Sequence, residues 1–142
     1  MSDTASSRIM AVDWGAKRIG LALSDPTRTI ANPLRVIEHQ SRALDADAIA
    51  QLADENGVSL ILMGVTYTDQ NELTPSGRSA MRLAEAIHAL GGPEVRAVDE
   101  AHSTRTARQS RLDMGIPRSK RKGHFDAIAA VIFLQAYLDN NR

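Results

Sequence analysis

RIMAVDWGAKRIGLALSD, residues 8–25, decides the fold of this chain. It reads as strand, tight turn, strand. Side chains alternate along a strand, so Ile9, Ala11 and Asp13 share one face, and Met10, Val12 and Trp14 the other. A carboxylate therefore ends a face that is otherwise apolar. Gly15 permits a tight turn, on which Lys17 and Arg18 lie. Ile19 to Leu23 resume an extended apolar pattern that Ser24-Asp25-Pro26 closes. An acidic strand end beside a basic turn suits a metal ion and a phosphate.

Working outward, strands are expected over residues 8–14, 18–24 and 29–37. Together they make an antiparallel meander. The third belongs at a sheet edge, because Pro33 removes a ladder donor. Ser41 is a helix cap, and Leu44, Ala48, Ile49, Leu52 and Ala53 give the helix to Asn56 an apolar stripe. Val58–Met63, almost wholly apolar, predicts a strand covered on both faces, closed by Gly64. A polar loop over 65–73 leads to Thr74-Pro75, a strong helix start, and that helix ends at Gly91-Gly92.

A short strand over 94–98 ends in Asp99-Glu100. Ser103 or Thr104 can cap a helix carrying Arg105, Arg108 and Arg111 on one side, and a basic loop spans 115–123. The last helix, residues 124–139, is apolar nearly all round and is expected to pack against more than one neighbour. This order predicts an α/β fold with a mixed sheet and helices on its faces. The 142 residues suit one domain, with residues 1–7 as a frayed tail.

The chain has no cysteine, so disulfides and thiolate metal sites are excluded. No apolar run approaches the roughly 20 residues that span a bilayer. A soluble cytoplasmic protein is expected. Net charge is zero, but residues 30–100 carry 5 basic and 11 acidic groups, and residues 101–142 carry 8 basic and 3 acidic. That asymmetry points to a polyanionic partner for the basic part, although a solvated basic face would look the same.

Three acidic positions fall at element ends: Asp13, Asp99-Glu100 and Asp126. Each has an ordinary explanation alone, such as a polar turn or a favourable charge at a helix start. Asp126 shares a helix face with Ala129, Ala130 and Phe133, so it faces protein. Three inward carboxylates would repel unless hard cations such as Mg²⁺ or Mn²⁺ lay between them. Such ions support phosphoryl chemistry. Lys17, Arg18 and the Arg105–Lys122 region would hold phosphates, with Trp14 and Tyr67 available for stacking. His102 and His124 could orient water or phosphate, although lone histidines are more often structural.

Asp13-x-Gly15-x-Lys17-Arg18-Ile19-Gly20-x-Ala22-x-Ser24-Asp25 and Lys122-Gly123-His124-Phe125-Asp126-Ala127-Ile128-Ala129-Ala130 carry a family resemblance. So do Ser76-Gly77-Arg78 and Asp99-Glu100 followed by Ser103-Thr104. Over residues 8–140 the chain resembles the YqgF/RuvX family of pre-16S rRNA nucleases and Holliday-junction-resolvase-like proteins. That resemblance implies an RNase H-like fold, a mixed five-stranded sheet with a three-strand antiparallel meander and helices on both faces. It implies a divalent-metal nuclease whose catalytic and metal-binding carboxylates map onto Asp13, Glu100 and Asp126. Nucleic-acid contacts would come from Lys17, Arg18, Arg78, Arg105, Arg108, Lys120, Arg121 and Lys122. The expected partner is precursor rRNA or branched DNA, and a homodimer would suit cleavage of two strands.

The chain departs from the family pattern at Gly64-Val65-Thr66, where Gly-Leu-Pro is usual, and at Ala101-His102, where arginine and leucine follow the acidic pair. Two other classes fit parts of the sequence. A phosphotransferase of the actin/hexokinase type has a similar strand-Asp-Gly turn, but generally needs two domains to close on a nucleotide. A non-catalytic nucleic-acid-binding protein of the same fold would tolerate Ala101.

Overall fold

The computed structural model describes residues 8–100 and 124–141, with side chains in the last helix from Ala127 onward. The expected tail at 1–7, the helix at 103–114 and the basic loop at 115–123 lie outside the described residues. The elements are β1 (Arg8–Asp13), β2 (Arg18–Ser24), β3 (Ala31–Glu38), α1 (Arg42–Glu55), β4 (Val58–Val65), α2 (Pro75–Ala89), β5 (Glu94–Asp99) and α3 (His124–Asn140).

The five strands form one mixed sheet in the order β3-β2-β1-β4-β5. β1, β2 and β3 are the antiparallel meander; β4 runs parallel to β1, and β5 parallel to β4. β3 is at an edge, and its register with β2 shifts between Leu21 and Ala22, where Ala22 faces Pro33. An edge strand tolerates both the missing donor and the bulge.

Strand alternation divides the core in two. On one face Met10, Val12, Ile19, Leu21, Ile61 and Met63 pack with Ile49 and Leu52 of α1 and Leu83 and Ile87 of α2. On the other, Ile9, Ala11, Ala22, Leu60 and Leu62 pack with Ala130, Phe133, Leu134 and Leu138 of α3. Both faces of the central strands are thus covered, which is why residues 9–12 of β1 and 60–65 of β4 are apolar. In α3, Ile128, Val131 and Ile132 are half-buried beside a fully buried stripe that includes Ala130, Phe133 and Leu134. Among the described residues no helix is long and apolar enough to cross a membrane.

Two local expectations need correcting. Gly64 does not close β4; the strand runs through it to Val65, and Gly64 pairs with Val98 of β5. The apolar stripe of α1 does not begin at Leu44, which is 54% exposed. Asp45 is turned inward instead, because its carboxylate has partners waiting at His39 and the Gln40 backbone. Ser41 caps α1 by accepting from the Leu44 N–H, and Thr74 caps α2 by accepting from the Gly77 N–H.

Candidate active site

Asp13 is the last residue of β1, and its position on the strand puts it on the α3 face with Ile9 and Ala11. Glu100 immediately follows β5. Its backbone N–H donates to the Val65 carbonyl at 2.8 Å, extending the β4–β5 ladder by one residue and fixing where its side chain starts. The Glu100 carboxyl then lies over Gly64. A methyl group at Gly64 would be 2.7 Å from Glu100 Oε2 and 3.0 Å from Phe133 Cε2. Only a residue without a side chain leaves that space.

There the Glu100 carboxyl hydrogen-bonds the Asp13 carboxyl. Burial raises the Glu100 pKa above the ordinary range; the Asp13 hydrogen bond opposes that rise and the Asp99 charge adds to it. Two carboxyl groups in such contact repel each other when both are ionised. A hard divalent cation fits the same place, since it would offset that repulsion and take oxygen ligands from both sides. Asp13, Trp14, Gly64, Thr66, Ser76 and Glu100 line a cavity of about 210 Å³ there. The first turn of α2 forms its far wall, held down by Thr74 and by hydrogen bonding between the Thr66 and Thr74 hydroxyls.

Two of the three expected acids are therefore brought together. Asp126 lies on the first turn of α3, and its side chain is outside the described residues. Among the described residues no group of three or more His, Cys, Asp or Glu side chains could hold a metal ion. α3 approaches this end of the sheet through Phe133, which is against Gly64, while its C-terminal part reaches Arg96 of β5 through the Tyr137 hydroxyl, 2.8 Å from Arg96 Nη1.

Of the expected phosphate ligands, Lys17 is exposed on the β1–β2 turn and Arg18 opens β2, opposite Glu38. Gly15 makes that turn possible, since a Cβ there would collide with the Arg18 carbonyl oxygen. Arg78 is exposed on the first turn of α2, where its Nη1 donates to the Leu73 carbonyl at 2.9 Å. Arg105, Arg108, Lys120, Arg121 and Lys122, with His102, lie outside the described residues, as does the His124 side chain. Trp14 stands at the cavity wall, and Tyr67 is 41% exposed in the loop after β4.

A family described as "RuvX: Holliday junction resolvase" matches residues 7–140. The chain belongs to the RuvX family. It is 34% identical to a protein of Chlorobaculum tepidum named "Putative pre-16S rRNA nuclease", over 99% of each chain. A protein of Clostridioides difficile with the same name is 35% identical, over 93% of this chain and 94% of the relative. The fold is similar to RuvC of T. thermophilus, solved in complex with a Holliday junction substrate, at a TM-score of 0.56 and 14% identity over 94% of each chain. It is also similar to the fowlpox virus resolvase, solved with Holliday junction DNA, at a TM-score of 0.53 and 12% identity over 94% of this chain and 98% of that one. The RuvX chain thus has the RNase H-like architecture of those resolvases.

Sequence reasoning missed two features of this end of the RuvX chain's sheet. Gly64 looked like a strand end, yet it clears the space that Glu100 occupies. The His39–Asp45 pair beside Trp14 carried no sequence signal, because the two residues meet only through the helix cap geometry at Ser41.

Proposed function

We propose that this protein is a divalent-metal-dependent endonuclease of structured nucleic acid, acting in the cytoplasm on the 5′ end of precursor 16S rRNA. The observation that carries it is the contact of the Asp13 and Glu100 carboxyl groups across Gly64, at the end of the sheet where the basic turn also lies. Glu100 is buried and Asp13 half-buried, and carboxyl groups so placed are costly unless a cation compensates them.

Asp13, Glu100 and Asp126 would hold one or two Mg²⁺ or Mn²⁺ ions. When bound, such an ion lowers the pKa of an attacking water and stabilises the leaving 3′-oxygen. The chain's own residues do the rest. Lys17, Arg18 and Arg78 neutralise and position backbone phosphates, joined by Arg105, Arg108, Lys120, Arg121 and Lys122. Such contacts orient a strand without reading its bases. Selection then falls to the shape of the nucleic acid, which suits a structured substrate.

The names of the relatives support precursor rRNA as substrate. The family description and the two resolvases support a second candidate, four-way-junction DNA, for which a homodimer would suit paired cuts. The test is cleavage of a precursor rRNA fragment and a four-way junction in parallel, with Mn²⁺, by the wild type, Asp13→Asn and Asp126→Asn. The expected result is cleavage of the rRNA fragment by the wild type and loss of at least about 100-fold in either variant. Cleavage by Asp13→Asn at the wild-type rate, or none of either substrate by the wild type, would overturn the proposal.

A further inference from the structure

Next to the acidic cavity lies a second one, of about 200 Å³, lined by residues that include Trp14, His39, Ser41, Arg42, Asp45 and Ser79. Trp14 belongs to both, and α2 borders both, with Ser76 on one and Ser79 on the other. The two have opposite chemistry. The first presents carboxyl groups, and the second presents a guanidinium, an imidazole and two hydroxyls.

Asp45 does not spoil that character. It is 2% exposed, and both its oxygens are engaged. Oδ1 accepts from the Gln40 N–H at 3.0 Å, and Oδ2 lies 2.5 Å from His39 Nδ1. The imidazole is therefore gripped on one side by a buried carboxylate. On another it meets the Trp14 ring edge-on, with centroids 5.7 Å apart and planes at 66°. Nε2 remains as the ring nitrogen available to a ligand. Arg42 is exposed and has no side-chain partner among the described residues. The His39 N–H donates to the Lys17 carbonyl at 2.9 Å, which ties this cavity to the basic β1–β2 turn.

A cation site and an anion site that share one wall match the backbone of a nucleic-acid strand. One phosphodiester is cut where the carboxylates lie, and a neighbouring one needs donors. We propose that the second cavity binds a phosphodiester group flanking the one cleaved, through Arg42, His39 and the Ser41 and Ser79 hydroxyls. This rests on the nuclease function proposed above. Asp45 is a positioning residue here, acting through His39. Trp14 fixes the imidazole and separates the two cavities.

The test is equilibrium binding in EDTA, so that cleavage plays no part. The probes are a fluorescein-labelled RNA hairpin and a labelled four-way DNA junction, titrated across a range of salt. Arg42→Gln is the main variant, since the side chain is exposed and its loss leaves the core intact. Arg28→Gln removes the same charge from the loop at the opposite end of the sheet and is the control. The expected result for Arg42→Gln is a Kd raised about 5- to 10-fold at ~0.1 M salt, with the slope of log K against log salt reduced by about one. His39→Gln should weaken binding in the same way. Loss on RNA alone would assign the cavity to ribose-bearing strands, and loss on both to the phosphodiester in general.

Arg42→Gln and His39→Gln both binding like the wild type, or Arg28→Gln weakening binding as much as Arg42→Gln, would overturn the subsite. Either result leaves the nuclease proposal standing if Mn²⁺-dependent cleavage persists. A wild type that binds neither probe would overturn both.

Discussion

The carboxyl groups of Asp13 and Glu100 are hydrogen-bonded to each other although β1 and β5 are not neighbours in the sheet. β4 runs between them. Glu100 reaches across because β4 carries glycine at position 64, on the face where Phe133 closes the core. The sheet order thus brings together two acids separated by 86 residues of chain, and one missing side chain lets them touch.

Gly64→Ala tests that relationship directly. The added methyl must displace both the Glu100 carboxyl and the Phe133 ring, which is overpacking of a closed core. A loss of about 1–3 kcal/mol in stability is expected, read by denaturant melts. Mn²⁺-dependent cleavage should fall by at least about 10-fold if Glu100 holds the metal as proposed, since misplacing such a group by even 1 Å is costly. A variant as stable and as active as the wild type would mean that Glu100 has room elsewhere.

Glu100→Gln should have opposite effects on stability and activity. Burial raises the Glu100 pKa in the folded state. Its protonated form therefore contributes stability at low pH that is lost as pH rises through the raised value. Glutamine keeps the neutral shape and can donate to Asp13. Without metal, the variant should melt several degrees above the wild type at pH 8, with the gap closing towards pH 4. Metal-dependent cleavage should be abolished. Thermal melts across that range, in EDTA, check the sign.

Asp25 behaves in the contrary sense. The Ile30 N–H, the Thr27 hydroxyl and the Thr29 N–H hold its carboxyl well below the ordinary range, so the folded state favours the charged form. Its contribution is present above the ordinary carboxylate pKa of about 3.9 and is lost as pH falls towards the depressed value. Asp25→Asn should loosen the loop joining β2 to β3. Amide exchange at Thr29 and Ile30 should rise at pH 6, with no change at the Asp13 end. Unchanged protection in the loop would contradict this.

Much of this architecture was legible because it is local. Strand alternation placed β1 and β2, and capping residues placed the starts of α1 and α2. Pro33 placed β3 at the edge. What was not legible depends on contacts between distant residues. Leu44 read as apolar stripe, but the inward turn of Asp45 depends on His39, and so rotates the helix start. Gly64 read as a terminator because the reason for it, the Glu100 carboxyl, comes from another strand. Asp13 and Glu100 stand out in the sequence as acids at strand ends, but their contact follows from the strand order. Asp126 and the basic segment remain expectations from the sequence, and their side chains fall outside the described residues.

The most direct measurement is a Mn²⁺ titration followed by electron paramagnetic resonance, on the wild type and on Asp13→Asn, at pH 8. The wild type should take up one or two ions, with free Mn²⁺ signal suppressed until they are bound, and should melt at higher temperature with the metal. Asp13→Asn should lose that binding while keeping its fold. Equal binding by the two proteins, or none by the wild type, would contradict a metal site built on Asp13 and Glu100.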